Sequence, residues 1–233
     1  NNAWGTWFWS QQYDSFEQVQ APKVTVSGRN PSAVLDWNRF CSDLIVDFQQ
    51  LQIDIIRSIC PPEQFITHNM MGFSDKVSYY DLAKSLDFAS HDQYPGGHFA
   101  VAPHQPNDRL AGDLDFIRSV KGKNFWIMEQ QAGITGWETI GRMPQPGQLS
   151  LWAMQSVAHG ADTIVFFRWR TCTVGTEQYW HGILPHSGQP GRSYRELKEL
   201  IHKTRPLMAE IQGVSPKPEV GIVYSYDQNY AMK

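Results

Sequence analysis

The 233 residues are enough for one substantial core, and the balance of 41% hydrophobic to 18% charged residues excludes a disordered chain. The net charge of −3, with no Lys/Arg-rich stretch, excludes the electrostatic footprint of a nucleic-acid binder. No apolar run reaches the ~18–20 residues that a membrane-spanning helix needs.

The chain opens on Trp4-Gly5-Thr6-Trp7-Phe8-Trp9-Ser10-Gln11, where aromatic rings sit beside hydrogen-bonding groups. Such neighbours suit a sugar, whose C–H faces stack while its hydroxyls need partners; equally, the tryptophans can simply fill core. Pro31 to Ile59 carries Leu35, Phe40, Leu44, Phe48, Leu51 and Ile55 at helical spacing, with Ser32 as the expected N-cap. A first strand is expected over Phe65-Ile66-Thr67, running out into His68-Asn69-Met70. A short helix over Tyr79 to Ala83 follows, then a second strand over Leu86 to Ser90 that ends in His91-Asp92-Gln93-Tyr94-Pro95.

Asp108 to Val120 has a helical pattern, and Asn124 to Met128 is a third strand, directly followed by Glu129. Pro146 to His159 begins with proline and stops at Gly160, as a helix does. Thr163 to Phe167 is a fourth strand, leading to Arg168 and Arg170. Arg192 to Gln212 is a last long helix with Pro206 as a kink or boundary. Beyond Pro216 and Pro218, Glu219 to Tyr226 has the pattern of a strand opening a further domain. Cys41, Cys60 and Cys172 are odd in number and lack metal-type spacing, so they are expected as reduced thiols.

Short continuous apolar strands alternating with helices predict a parallel sheet covered by helices. The polar residues cluster after each strand, at what would be the catalytic face of a (β/α)8 TIM barrel. An open doubly wound sheet has the same alternation, but no Gly-rich phosphate loop accompanies it. A carboxylate at Glu129, at the end of a strand, can attack an anomeric carbon and form a glycosyl-enzyme; a solvated loop glutamate is the alternative.

Six segments in order carry a resemblance. They are Asn2 to Tyr13, Asn30-Pro31 through Arg39-Phe40, Thr67-His68-Asn69-Met70, Leu86 to Pro95, Met128-Glu129-Gln130, and Ala158-His159-Gly160-Ala161-Asp162 through Arg170. Together they resemble the family 42 glycoside hydrolases, retaining β-galactosidases, over nearly the whole chain. The resemblance implies that the four strands are barrel strands five to eight. It makes residues 1–215 the C-terminal half of the catalytic barrel, and 216–233 a linker and the first strand of a trimerisation-like domain.

The resemblance also identifies Glu129 as the nucleophile at the end of strand seven. It implies that Trp137 packs on the galactose and that Glu177 accepts hydrogen bonds from sugar hydroxyls. The family often has a histidine three residues after this glutamate. Trp180 holds that place here, so either His181 reaches in or Trp180 stacks instead. Trp4, Asn69 and Asp92 are expected to face the sugar, and Asp92 and Tyr94 equally to orient Glu129. The family's acid/base is the glutamate of an Asn-Glu pair after strand four. No such dipeptide occurs here, so it is expected upstream, as are the cysteines of a structural zinc present in some members. No cofactor is implied. The expected setting is a cytoplasmic homotrimer acting on β-galactosides or galacto-oligosaccharides. Arabinopyranosides or β-glucosides as substrates, or a non-catalytic carbohydrate-binding fragment, are the competing readings.

Overall fold

The computed structural model describes residues 1–8, 11–24, 26, 28–97 and 107–232. Trp9 and Ser10 of the opening aromatic segment lie outside the described residues. In chain order the elements are α1 (Pro31–Ile59), β1 (Asn69–Met70), α2 (Tyr79–Leu82), β2 (Ser90–Gln93), α3 (Asn107–Lys121) and β3 (Phe125–Gln131). They continue with α4 (Gln148–Ala158), β4 (Ala161–Phe167), α5 (Arg192–Ile211) and α6 (Tyr226–Ala231). The chain divides into two compact units: Asn1–Gln64 with Ser74–Ser85 and Glu219–Lys233, and Phe65–Phe73 with Leu86–Pro218.

The first unit is built on α1. Its N-cap is Asn30, whose side-chain oxygen accepts from Ala33 N at 3.2 Å with Pro31 at the first helical position. The expected cap at Ser32 is therefore displaced by two residues, because proline is preorganised for the first turn and leaves the residue before it extended. The helix buries Ser42, Gln49 and Ile53. Gln49 Nε2 donates to Leu82 O at 2.7 Å, and Ser42 Oγ accepts from Ser78 N at 2.9 Å, which ties α1 to the α2 turn. Phe40, Leu44, Phe48, Leu51 and Ile55, the stripe that marks the helix in the sequence, are exposed. The expected strand over Glu219–Tyr226 is not formed. The chain stays irregular up to Ser225, whose hydroxyl caps α6, and Tyr226 and Tyr230 are buried from that helix.

The second unit holds one sheet of four parallel strands in the order β1-β2-β3-β4. Leu149 and Trp152 of α4 pack with Leu197 of α5, and Phe166 of β4 lies against them. This is the helix layer that a parallel sheet requires. β3 and β4 fall where the apolar runs predict, but β1 and β2 begin further along. Ile66 N donates to Asp87 Oδ2 at 2.6 Å and Thr67 Oγ1 to Phe88 O at 2.8 Å. Asp87 N donates in turn to Ile66 O at 2.9 Å, and regular pairing starts at Asn69 and Ser90. The shift places Asn69, Asp92 and Glu129 within paired strands rather than after them. α5 runs on through Pro206 to Ile211 instead of ending there. Among the described residues no helix is long and apolar enough to cross a membrane.

Candidate active site

Glu129 sits two residues before the end of β3, half-buried, and its two carboxylate oxygens have donors from β1 and from the loop after β2. Tyr94 OH donates to Oε2 at 2.5 Å and Asn69 Nδ2 approaches Oε1 at 3.4 Å. The Tyr94 hydroxyl is pushed well above the usual phenol range by burial and by this acceptor, so it stays a donor.

Asp92 is the strand partner of Glu129. Burial, and next the charge of Glu129, push its carboxyl up to about 7, against a hydrogen bond from Asn69 that lowers it. Its Oδ1 is buried with no hydrogen-bond partner among the described residues. Asn69 thus faces both carboxyls, and Tyr94 donates to Glu129.

The wall beside Glu129 is aromatic. Trp180 is buried and meets the Tyr94 ring edge-on at 4.7 Å, with Trp137 5.3 Å away on its other side. Trp137 is 47% exposed. Glu177 lies in the loop after β4, with Arg168 Nη1 3.4 Å from its carboxylate and Arg168 Nη2 donating to its main-chain oxygen at 2.9 Å. The Arg168 guanidinium thus pairs with Glu177. His181 is half-buried and its ring packs edge-on against His186 at 5.0 Å. Burial, then His186, lower its pKa, so it is a neutral imidazole at neutral pH. Its backbone N–H donates to Ile134 O at 2.8 Å, and its Cβ and carbonyl leave no room for a side chain at Gly133.

The structure thus brings Asn69, Asp92, Tyr94 and Glu129 into one hydrogen-bonded group, and places Trp137, Trp180, Glu177 and His181 on the loops beyond β3 and β4. Trp180 has become the buried support of Tyr94. Trp4 belongs to the first unit, where its indole N–H donates to Asp36 Oδ2 at 2.8 Å. Gln131, which the sequence reading passed over, bridges the loops behind this group; nothing in its neighbours marks it. Cys41, Cys60 and Cys172 are free thiols, and no group of three or more metal-ligating side chains occurs among the described residues.

Residues 1–207 match the family model for glycoside hydrolase family 42, described as β-galactosidase. The chain is 44% identical over 246 residues to β-galactosidase BgaH of Haloferax lucentense and 40% identical over 234 residues to β-galactosidase BgaA of Clostridium cellulovorans. Both alignments cover 100% of this chain and 35% of the relative, so the chain spans about a third of their length. The crystal structure of the β-galactosidase from the psychrophilic Marinomonas ef1 superposes with a TM-score of 0.90 at 31% identity, over 100% of this chain and 38% of that one. A strand-borne carboxylate with two donors, an aromatic wall and a family match over most of the sequence agree: the chain belongs to the family 42 glycoside hydrolases.

Proposed function

We propose that this chain carries the nucleophile half of a retaining β-galactosidase, with Glu129 as the nucleophile. The observation that carries the reading is the pair of donors, Tyr94 and Asn69, on a carboxylate near the C-terminal end of a parallel strand. In this reading the four strands are strands five to eight of a (β/α)8 barrel, residues 1–215 belong to the catalytic domain, and 216–233 begin the next. The similarity to family members about three times as long supports that frame.

Glu129 attacks the anomeric carbon of a terminal β-galactosyl unit as the bond to the leaving oxygen breaks, and the covalent galactosyl-enzyme is then released to water. A retaining site needs a second carboxyl about 5–5.5 Å away, to give the leaving group a proton and then take one from water. Asp92 touches the nucleophile's own hydrogen-bond network, which suits it to orienting Glu129 or to meeting the sugar. The proton donor is assigned instead to a segment preceding residue 1, since no Asn-Glu pair occurs in the chain. Trp137 offers the galactose a face, Glu177 accepts from its hydroxyls, and Asn69 and His181 complete the sugar contacts. The reading asks for no cofactor, places any structural zinc outside this chain, and sets the protein in a cytoplasmic homotrimer.

The test is chemical rescue in the full-length protein. Glu129→Gly should lose turnover by several orders of magnitude, and azide should restore part of it with β-galactosyl substrates giving the α-azide. Rescue that gave the β-azide, or a variant that kept wild-type turnover, would remove Glu129 from this role.

A further inference from the structure

The loops after β2, β3 and β4 are tied together by hydrogen bonds that involve none of the side chains assigned to the sugar. Gln131, the last residue of β3, is fully buried and uses both ends of its amide. Oε1 accepts from Gly96 N at 2.7 Å, and Nε2 donates to Gly133 O at 2.8 Å. Thr135 Oγ1 donates to Gly97 O beside it. Gly96 lies two residues beyond Tyr94, inside a turn closed by Gly97 N donating to Tyr94 O at 3.0 Å. The position of Gly96 N therefore sets where the Tyr94 ring leaves the strand, and Trp180 holds that ring from the side.

We propose that Gln131 is a positioning residue for the nucleophile: its amide staples the turn after β2 to the loop after β3 and thereby holds the Tyr94 hydroxyl on Glu129. The chemistry requires an amide, because one end must accept and the other donate, and both backbone partners are buried. Gly96 fits the same account. A Cβ there would come within 2.6 Å of Gln131 Nε2 and 2.9 Å of Oε1, so the glycine answers to the closeness of the staple. The inference rests on Glu129 being the nucleophile.

The experiment uses the full-length protein, an aryl β-galactoside, and the variants Gln131→Met, Gly96→Ala and Tyr94→Phe. Gln131→Met keeps the bulk and loses both hydrogen bonds; Gly96→Ala forces the staple apart from its other side. Each should lower kcat about tenfold with KM within about twofold, since misplaced groups cost the chemical step more than binding. Tyr94→Phe should show the same split between kcat and KM, because it removes the hydrogen bond that the staple positions. In the double variant Gln131→Met/Tyr94→Phe the loss should be no greater than about twice the larger single loss. A kcat within about twofold of the unmodified protein in both Gln131→Met and Gly96→Ala, or losses that multiply in the double variant, would overturn the positioning role. Should Gln131→Met fail to fold, Gly96→Ala decides, alone and combined with Tyr94→Phe. Azide rescue of Glu129→Gly, run alongside, judges the nucleophile separately.

Discussion

Asp92 and Glu129 stand opposite one another on β2 and β3 only because β3 carries one residue more than β2 at this level. His91 pairs with Ile127, and the next residue of β2, Asp92, pairs with Glu129, skipping Met128. Such a bulge re-aims side chains, and here it sets two carboxyl-bearing residues at one level beneath the mouth of the sheet. Tyr94 donates to Glu129, and burial drives Asp92 toward its neutral form.

Asp92 and its neighbour His91 should oppose each other in the pH dependence of stability. His91 is fully buried, and desolvation depresses its pKa to about 4 from an ordinary 6.5. Between those values the unfolded chain binds a proton that the native one does not, so stability falls as pH drops, by about 1.4 kcal/mol per pH unit for one proton. Asp92 does the reverse. With its pKa raised from 3.8 to about 7, the native state holds the extra proton, and stability falls as pH rises through that window. The two contributions offset one another from about pH 4 to 6.5. Urea unfolding of Asp92→Asn should show stability climbing with pH across this range more steeply than in the unmodified protein. An unchanged slope would mean that Asp92 ionises normally in the folded state.

Glu177→Gln should lower kcat/KM on an aryl β-galactoside by about 10–100-fold, the usual worth of a hydrogen bond to a charged group. Arg168 would lose its ion-pair partner, yet its bond to the Glu177 main-chain oxygen would persist and keep the loop in place. Thermal unfolding should therefore move little. A kcat/KM within twofold of the unmodified protein would remove Glu177 from the sugar contacts.

The chain expressed alone should not turn over β-galactosides, and it should recover activity when a chain bearing the preceding part of the barrel is added. Positioned proton transfer contributes ~10²–10⁴-fold, so substrates with poor leaving groups should suffer most. Aryl β-galactoside hydrolysis by purified chain, with Glu129→Gln as the blank, is the measurement. Ordinary glycosidase rates from the chain alone would place a second carboxyl within these residues, with Asp92 as the first suspect.

What the sequence reveals here follows from which residues do the pairing. β3 and β4 announce themselves because Phe125 to Met128 and Ala161 to Phe167 are almost wholly apolar. β1 and β2 do not: Asn69, Ser90, His91, Asp92 and Gln93 are polar residues, buried or half-buried within the paired strands, which no hydropathy pattern reports. Helix α1 is plain from its period, but the period does not say which side is covered. Glu129 stands out by its place after an apolar run and by family resemblance, and Tyr94 by its distance of two residues from Asp92. Gln131 is invisible in the sequence, since its role depends on which backbone atoms two loops bring to its amide.

The strand order has a practical consequence. β4 is seven residues long and, among the described residues, has a paired neighbour, β3, on one side only. Val165, in its middle, is 41% exposed. A long strand at the edge of a sheet is a template for a strand from another molecule, whereas β1, with two residues, offers almost nothing to copy. Self-association of the isolated chain should therefore grow from the β4 side, and refolding yield should fall as protein concentration rises.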